Sequence, residues 1–220
     1  MCETLVWSFD AIRNIQWLEV IKALAPAATA IVAFLALRNW QRQDKAKREA
    51  EFLDSLIEAS HTYIADMHRP IALLEIIKIG MESHAPTWES SKPEEIAIKG
   101  AIEYIKKNGE HDGKRLLAEL ESMQPAVIKL RSLVAKGQIF KFFDYSKCQN
   151  AAAELTWQFD RIEALMAIIC SPSLNWENSE VLALLKKLIA IEPSEIRKSV
   201  EATNIALLEF ASKTYIRMYG

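Results

Sequence analysis

The chain is poor in the residues that interrupt or cross-link a fold. Its 220 residues include only 6 glycines, 7 prolines and 3 cysteines. Cys2, Cys148 and Cys170 are too few and too scattered for a disulfide framework or a zinc site, and Cys148 and Cys170 read as reduced thiols on helices. There is no internal repeat and no low-complexity tract. No stretch alternates apolar and polar residues with a period of two over a useful length, which argues against strands. An excess of one charge is also missing. Lysine and arginine total 27 against 29 acids, a formal net charge of -2. Nucleic-acid binding usually needs a basic excess, so no nucleic-acid partner is expected. Chemistry-bearing motifs are absent too: no glycine-rich phosphate loop, no GxSxG, no HExxH and no Cys/His pair with a recognisable spacing. The sequence therefore predicts no catalytic residue, no cofactor and no metal, and a protein that is not an enzyme.

What is present is apolar surface. Half of the residues are hydrophobic and a quarter are charged, enough for a packed core. Fifteen apolar or small residues run unbroken from Ala23 to Leu37. The run extends backwards through Trp17, Leu18, Val20 and Ile21, broken only by Glu19 and Lys22. Those two charges are three apart and can pair on a helix. Trp17 and Trp40 bracket the segment. At 1.5 Å per residue they lie about 34 Å apart, close to the hydrocarbon thickness plus interface, where an aromatic belt belongs. Residues 17–40 thus read as a transmembrane anchor, against the alternative of a buried helix in a soluble all-α protein. Pro26 fits either reading, because membrane helices tolerate proline.

The flanks give an orientation. Arg38, Arg42, Lys45, Lys47 and Arg48 crowd the segment that follows the run, opposed by Asp44 and Glu49. The preceding flank has no basic excess. Basic flanks stay in the cytoplasm, so the short N-terminus is expected outside and the remainder inside. The same bases suit contact with anionic lipid headgroups, in preference to a nucleic-acid or acidic-partner patch. Within the run, Ala25, Thr29, Ala33 and Ala36 share one face at spacings of three and four. Small residues so placed let helices approach closely and make this an oligomerisation face. Residues 1–16 carry Leu5, Val6, Trp7, Phe9, Ile12 and Ile15 and read as a short outward-facing segment, interfacial or frayed.

From residue 41 the pattern stays helical. Leu53, Ile57, Ser60, Ile64, Met67, Ile71 and Leu74 form a stripe. Pro70 is expected to kink or end this helix, with a second piece from Ile71 to about Met81. "SHAPTWESSKPEE" reads as a loop, with Ser90 or Ser91 capping a helix from Pro93 to about Lys107. "NGEHDG" reads as a turn. A helix over 114–136 follows, bent or split at Pro125 and stopped by Gly137. "QIFKFFDYSKC" mixes aromatics with lysines and reads as core filling or as contact with the inner membrane surface. Further helices are expected over 146–170 and 179–190, and from Pro193 onward.

"EASH" places Glu58 and His61 at i, i+3, a spacing used in di-iron helical bundles, where two helices supply it. It occurs once here. Asp54, Glu58, His61 and His68 share one side of a helix, and a solvated boundary face is the default reading.

The run Trp40, Gln43, Lys47, Glu51, Tyr63, Arg69 and Pro70, directly after a short apolar helix, resembles small, singly anchored helical proteins of bacteria found in prophage, mobile-island and phage-defence neighbourhoods. The likeness covers about residues 20–75 and brings no catalytic residues. It implies a bacterial inner-membrane setting and a role in defence or stress, as sensor, adaptor or effector. The resulting expectation is an all-α protein: a single N-terminal transmembrane helix continuing into an antiparallel cytosolic helical bundle. Its segments are 1–16, 17–40 and 41–220, and its partners are membrane lipids together with a protein partner or a second copy. A membrane-disrupting effector and a metal-binding helical enzyme are the alternatives.

Overall fold

The structure is a computed structural model that describes residues 17–86 and 92–219. The N-terminal segment before Trp17 and the expected caps Ser90 and Ser91 lie outside the described residues. Within them the chain is all-helical and has no strand. The helices are α1 (Trp17–Ser83), α2 (Pro93–Gly137), α3 (Tyr145–Ile169), α4 (Ser179–Ile189) and α5 (Pro193–Tyr219), with a 3-10 turn at Gln138–Phe140 between α2 and α3. The chain divides into two units, Met1–Glu49 and Ala50–Gly220.

In the second unit the core is organised on the later part of α1. Leu53, Leu56, Tyr63, Met67, Ile71, Leu74 and Ile77 are all fully buried there. With Ala59, also fully buried, they recur every three to four residues, so a helix places them on one face. The expected members Ile57 and Ile64 fall at its edge and are half-buried. Facing them are Leu116, Leu120, Val127 and Leu130 of α2, Leu155, Phe159, Ile162 and Ile169 of α3, Leu185 of α4, and Ile196, Val200, Leu207 and Phe210 of α5. Polar pairs fix the register along α1. Tyr215 donates to Asp54 at 2.6 Å and Arg197 to Glu75 at 2.9 Å. Lys129 meets Glu58 at 3.1 Å and Arg69 meets Glu119 at 3.9 Å. Residue numbers rise along α1 as they fall along α2 and α5.

At three places an expected helix end is absent. α1 passes through Pro70 to Ser83, and α2 passes through both "NGEHDG" and Pro125. Proline leaves the carbonyl four residues earlier without its helical donor. For Pro70 that residue is Asp66, and for Pro125 it is Glu121, and both are exposed. Water can therefore take the place of the lost donor, and packing on the opposite face holds the helix together.

The "NGEHDG" stretch is helical for a different reason. Gly109 and Gly113 are four apart and hence on one face, and both are buried. The C-terminal end of α3 lies against them. A Cβ on Gly109 would overlap the carbonyl oxygen of Ile169, and one on Gly113 would overlap the Cys170 sulfur. Gly100 repeats the arrangement one layer away, where a Cβ would come within 2.7 Å of the Met81 carbonyl oxygen and 2.8 Å of the Ala85 backbone. On the outer side, Glu110 and Lys114 pair at 2.7 Å, and Tyr104 donates to Asp112 at 2.5 Å. What reads locally as a turn is a contact at which two helices come close.

This contact makes a signed prediction. In an exposed helix, glycine to alanine stabilises by about 1 kcal/mol. Gly109→Ala should instead destabilise, by about 1–3 kcal/mol, because the obstructing atom is backbone and cannot rotate away. Urea denaturation of purified protein measures the sign, and a gain in stability would show that α2 and α3 are not in close contact at this point.

Candidate functional site

The first feature that requires a functional account is the apolar run. The run lies within the one helix among the described residues that is long and apolar enough to cross a membrane, and none of its most apolar window is buried inside the protein. Leu24, Ile31, Val32, Phe34, Leu35, Leu37 and Trp40 are each more than half exposed. Leaving such a side chain in water, where it could be covered, costs about 1.5–3 kcal/mol. A contiguous apolar surface of this kind marks contact with a membrane or another protein. Trp17 opens the helix, and its side chain is outside the described residues. Ala25, Thr29, Ala33 and Ala36 are all exposed, so nothing among the described residues covers the small-residue face. The Thr29 hydroxyl donates to the Ala25 carbonyl at 2.8 Å. That bond leaves the face without an unsatisfied donor, a requirement for contact with lipid or with a second helix.

All five bases after the run, Arg38, Arg42, Lys45, Lys47 and Arg48, are exposed. Arg48 pairs with Asp44 at 2.6 Å and Lys45 with Glu49 at 3.6 Å, both one helical turn apart. The acids of this segment thus temper part of its charge.

The residues of the Asp54–His68 face make separate contacts. Asp54 accepts the Tyr215 hydroxyl, Glu58 pairs with Lys129, and His61 and His68 are exposed. Among the described residues no group of three or more His, Cys, Asp or Glu side chains could hold an ion. The Tyr215 phenol is pushed up to about 12, chiefly by desolvation and then by its bond to Asp54, so it remains a donor at neutral pH.

The segment "QIFKFFDY" divides its apolar residues between the core and the exposed surface. Phe140 and Phe142 turn inward onto Phe52, with ring centroids 4.9 and 5.5 Å away. Phe210 closes the cluster against Phe142 and Tyr145. Tyr145 donates to the Val134 carbonyl at 2.7 Å, in space that the missing side chain of Gly137 leaves open. Ile139 and Phe143 turn outward and are 77% and 64% exposed, so alternate residues serve core and surface. Lys141 and Asp144 adopt left-handed backbone, with φ of 53° and 56°. That conformation costs a non-glycine residue about 1–2 kcal/mol. The inward aromatics hold the segment in it and thereby fix where Ile139 and Phe143 project.

Sequence reasoning had no means of finding one further site. A cleft of about 300 Å³ is lined by Leu74, Ile77 and Met81 of α1, Ile96 of α2, Leu165 of α3 and Leu188 of α4. Its polar edge is Lys78, which is ion-paired with Glu192 and donates to the Ile191 carbonyl at 3.3 Å. Each lining residue reads locally as ordinary core, and only the meeting of four helices leaves the space. A shallower groove of about 440 Å³ runs between α3 and α5, from Phe143 and Lys147 to Glu154, Ala206 and Lys213.

Cys148 and Cys170 are free thiols. Cys148 is fully buried, and desolvation pushes it up to about 12, so it is unreactive at neutral pH. Cys170 is half-buried just beyond α3, and burial raises it as well. Lys114 pulls the Cys170 thiol back down, and burial outweighs it. No family model, curated protein or solved structure matches this chain.

Proposed function

We propose that the chain is a non-enzymatic protein anchored in a bacterial inner membrane by residues 17–40, whose helical unit lies in the cytoplasm as an antiparallel bundle and binds a protein partner or a second copy. The observation that carries the reading is the complete exposure of an apolar helix. A soluble protein would bury such a helix, and a bilayer covers it on all sides. The bases after the run support the inward orientation. The resemblance of residues 20–75 to anchored bacterial helical proteins supports the setting and a role in defence or stress. The opposed residue order along α1 and its neighbours supports the bundle topology. The apolar cleft beside Lys78 supports protein binding, since it has the size and lining to accept one large aliphatic or aromatic anchor from a partner.

A second reading is favoured by one observation. The face of Ala25, Thr29, Ala33 and Ala36 is open along its length, and anchors packed through it could cluster and breach the membrane, as an effector would.

Three outcomes are expected. The full chain should stay with the membrane through an alkaline carbonate wash, which strips peripheral proteins, and its appearance in the supernatant would remove the anchor. In intact cells with a permeable outer membrane, an impermeant thiol reagent should label Cys2. It should leave a reporter at Ser122→Cys unlabelled until lysis. Ser122 is exposed, whereas Cys148 is too buried to report. Labelling of the reporter from outside would reverse the orientation. Overproduction should leave growth unchanged. A growth defect relieved by Thr29→Leu plus Ala33→Leu would instead identify the effector.

A further inference from the structure

The end of the second unit where the chain enters at Ala50 gathers apolar and basic groups that no internal packing uses. Phe52 lies two residues past this entry, and Phe140 and Phe142 stack against it. Tyr215 donates to the Ala50 carbonyl at 3.2 Å, which brings the end of α5 to the same place. Arg217 lies 3.9 Å over the Phe143 ring and joins the two segments. Ile139, Phe143, Ile216 and Tyr219 are each more than 60% exposed here. Five exposed bases accompany them: Lys136, Lys141, Lys147, Lys213 and Arg217. Asp144 pairs with Lys147 and Glu209 with Lys213. Among the described residues Lys136, Lys141 and Arg217 have no acidic partner. The end surface therefore has outward apolar side chains within a basic rim.

We infer that this surface docks on an anionic phospholipid bilayer, with Ile139 and Phe143 entering the headgroup boundary and Lys136, Lys141 and Arg217 facing lipid phosphates. The charge selects the occupant. Bases without acidic partners favour anionic headgroups, and each one near such a surface contributes about fivefold to binding. Apolar side chains at the tip of a held segment gain by leaving water for the acyl boundary. The left-handed residues Lys141 and Asp144 hold the tip in this projecting form before any lipid arrives. Placement at the Ala50 entry fits as well, because this end is the one nearest in sequence to the apolar run. Docking deepens the anchored reading, but it requires only a nearby anionic surface.

The test uses the full chain in vesicles of phosphatidylcholine with or without phosphatidylglycerol. Replacing Phe143 by the photocrosslinker p-benzoylphenylalanine keeps an aromatic ring at the tip. Illumination should give lipid adducts, with a yield about fivefold or more higher when phosphatidylglycerol is present. The same group at Trp157, exposed on the body of α3, should give none. Lys136→Glu with Lys141→Glu should lower the Phe143 yield by about fivefold or more, with an unchanged unfolding midpoint, since both side chains are exposed. Equal yields with and without phosphatidylglycerol, no adduct at Phe143, or a protein–protein adduct there would each overturn the inference. A carbonate wash of the same vesicles separates the two readings. Retention without a Phe143 adduct removes the docking alone, and release of the protein from vesicles kept dark, where an illuminated sample gives the Phe143 adduct, removes the anchor alone.

Discussion

Tyr63 lies fully buried in the middle of the apolar stripe of α1, and its hydroxyl donates to the Leu155 carbonyl of α3 at 2.5 Å. Burial raises the phenol well above its ordinary value, so the group stays protonated and remains a donor. Removing its partner would leave a polar atom buried and unpaired, at a cost of about 1–3 kcal/mol. This bond ties the two helices that carry the largest fully buried side chains, and the other elements take their places around α1. α2 meets it at Glu58 and Arg69, and α5 at Asp54 and Glu75. The turn before α5 meets it at Lys78. The two-glycine contact of α2 with the end of α3 follows from the same arrangement, because α3 is held where only glycine gives room.

A single helix, α1, presents two kinds of surface in succession. From Phe52 to Met81 one stripe is buried and most of the rest is polar, with Ile76 and Ile79 exposed among it. From Leu24 to Leu37 the surface is apolar on every side and uncovered. The change from one to the other falls in the basic segment ending at Arg48. The aromatic segment after α2 divides in a similar way on a smaller scale, with Phe140 and Phe142 turned inward and Ile139 and Phe143 outward.

The elements where local reading and structure part company share a cause. At Pro70 and Pro125 the propensity to break a helix is real, but the unbonded carbonyls fall on exposed residues and the buried faces pack regardless. At Gly109 and Gly113 the turn-forming composition is also real, and a long-range neighbour decides its use. The candidate sites divide in the same way. The apolar run and its bases were legible because they are contiguous, and so was the exposed face of small residues. The cleft beside Lys78 was not legible, because four helices contribute to it and each contribution looks like core. The unpartnered bases at the Ala50 end were not legible either, since charge neutrality depends on which acids lie within reach.

The sequence by itself determined the all-helical class of the described residues, the helix boundaries near Pro93, Tyr145, Ser179 and Pro193, and the buried positions Leu53, Met67, Ile71 and Leu74 of α1. These follow from the 3.6-residue period and from local end signals, which act over a few neighbours and need no knowledge of the rest of the chain. At Ser179, for instance, the Asn178 side chain accepts the Glu180 N–H at 2.8 Å. Only the tertiary structure decided that Asp54 meets a tyrosine and Glu58 a lysine. It also decided that "NGEHDG" continues a helix, and which aromatics of 138–145 turn outward. Those outcomes depend on groups distant in sequence arriving within a few ångströms, and hydrogen bonds, ion pairs and steric contacts are governed by that distance.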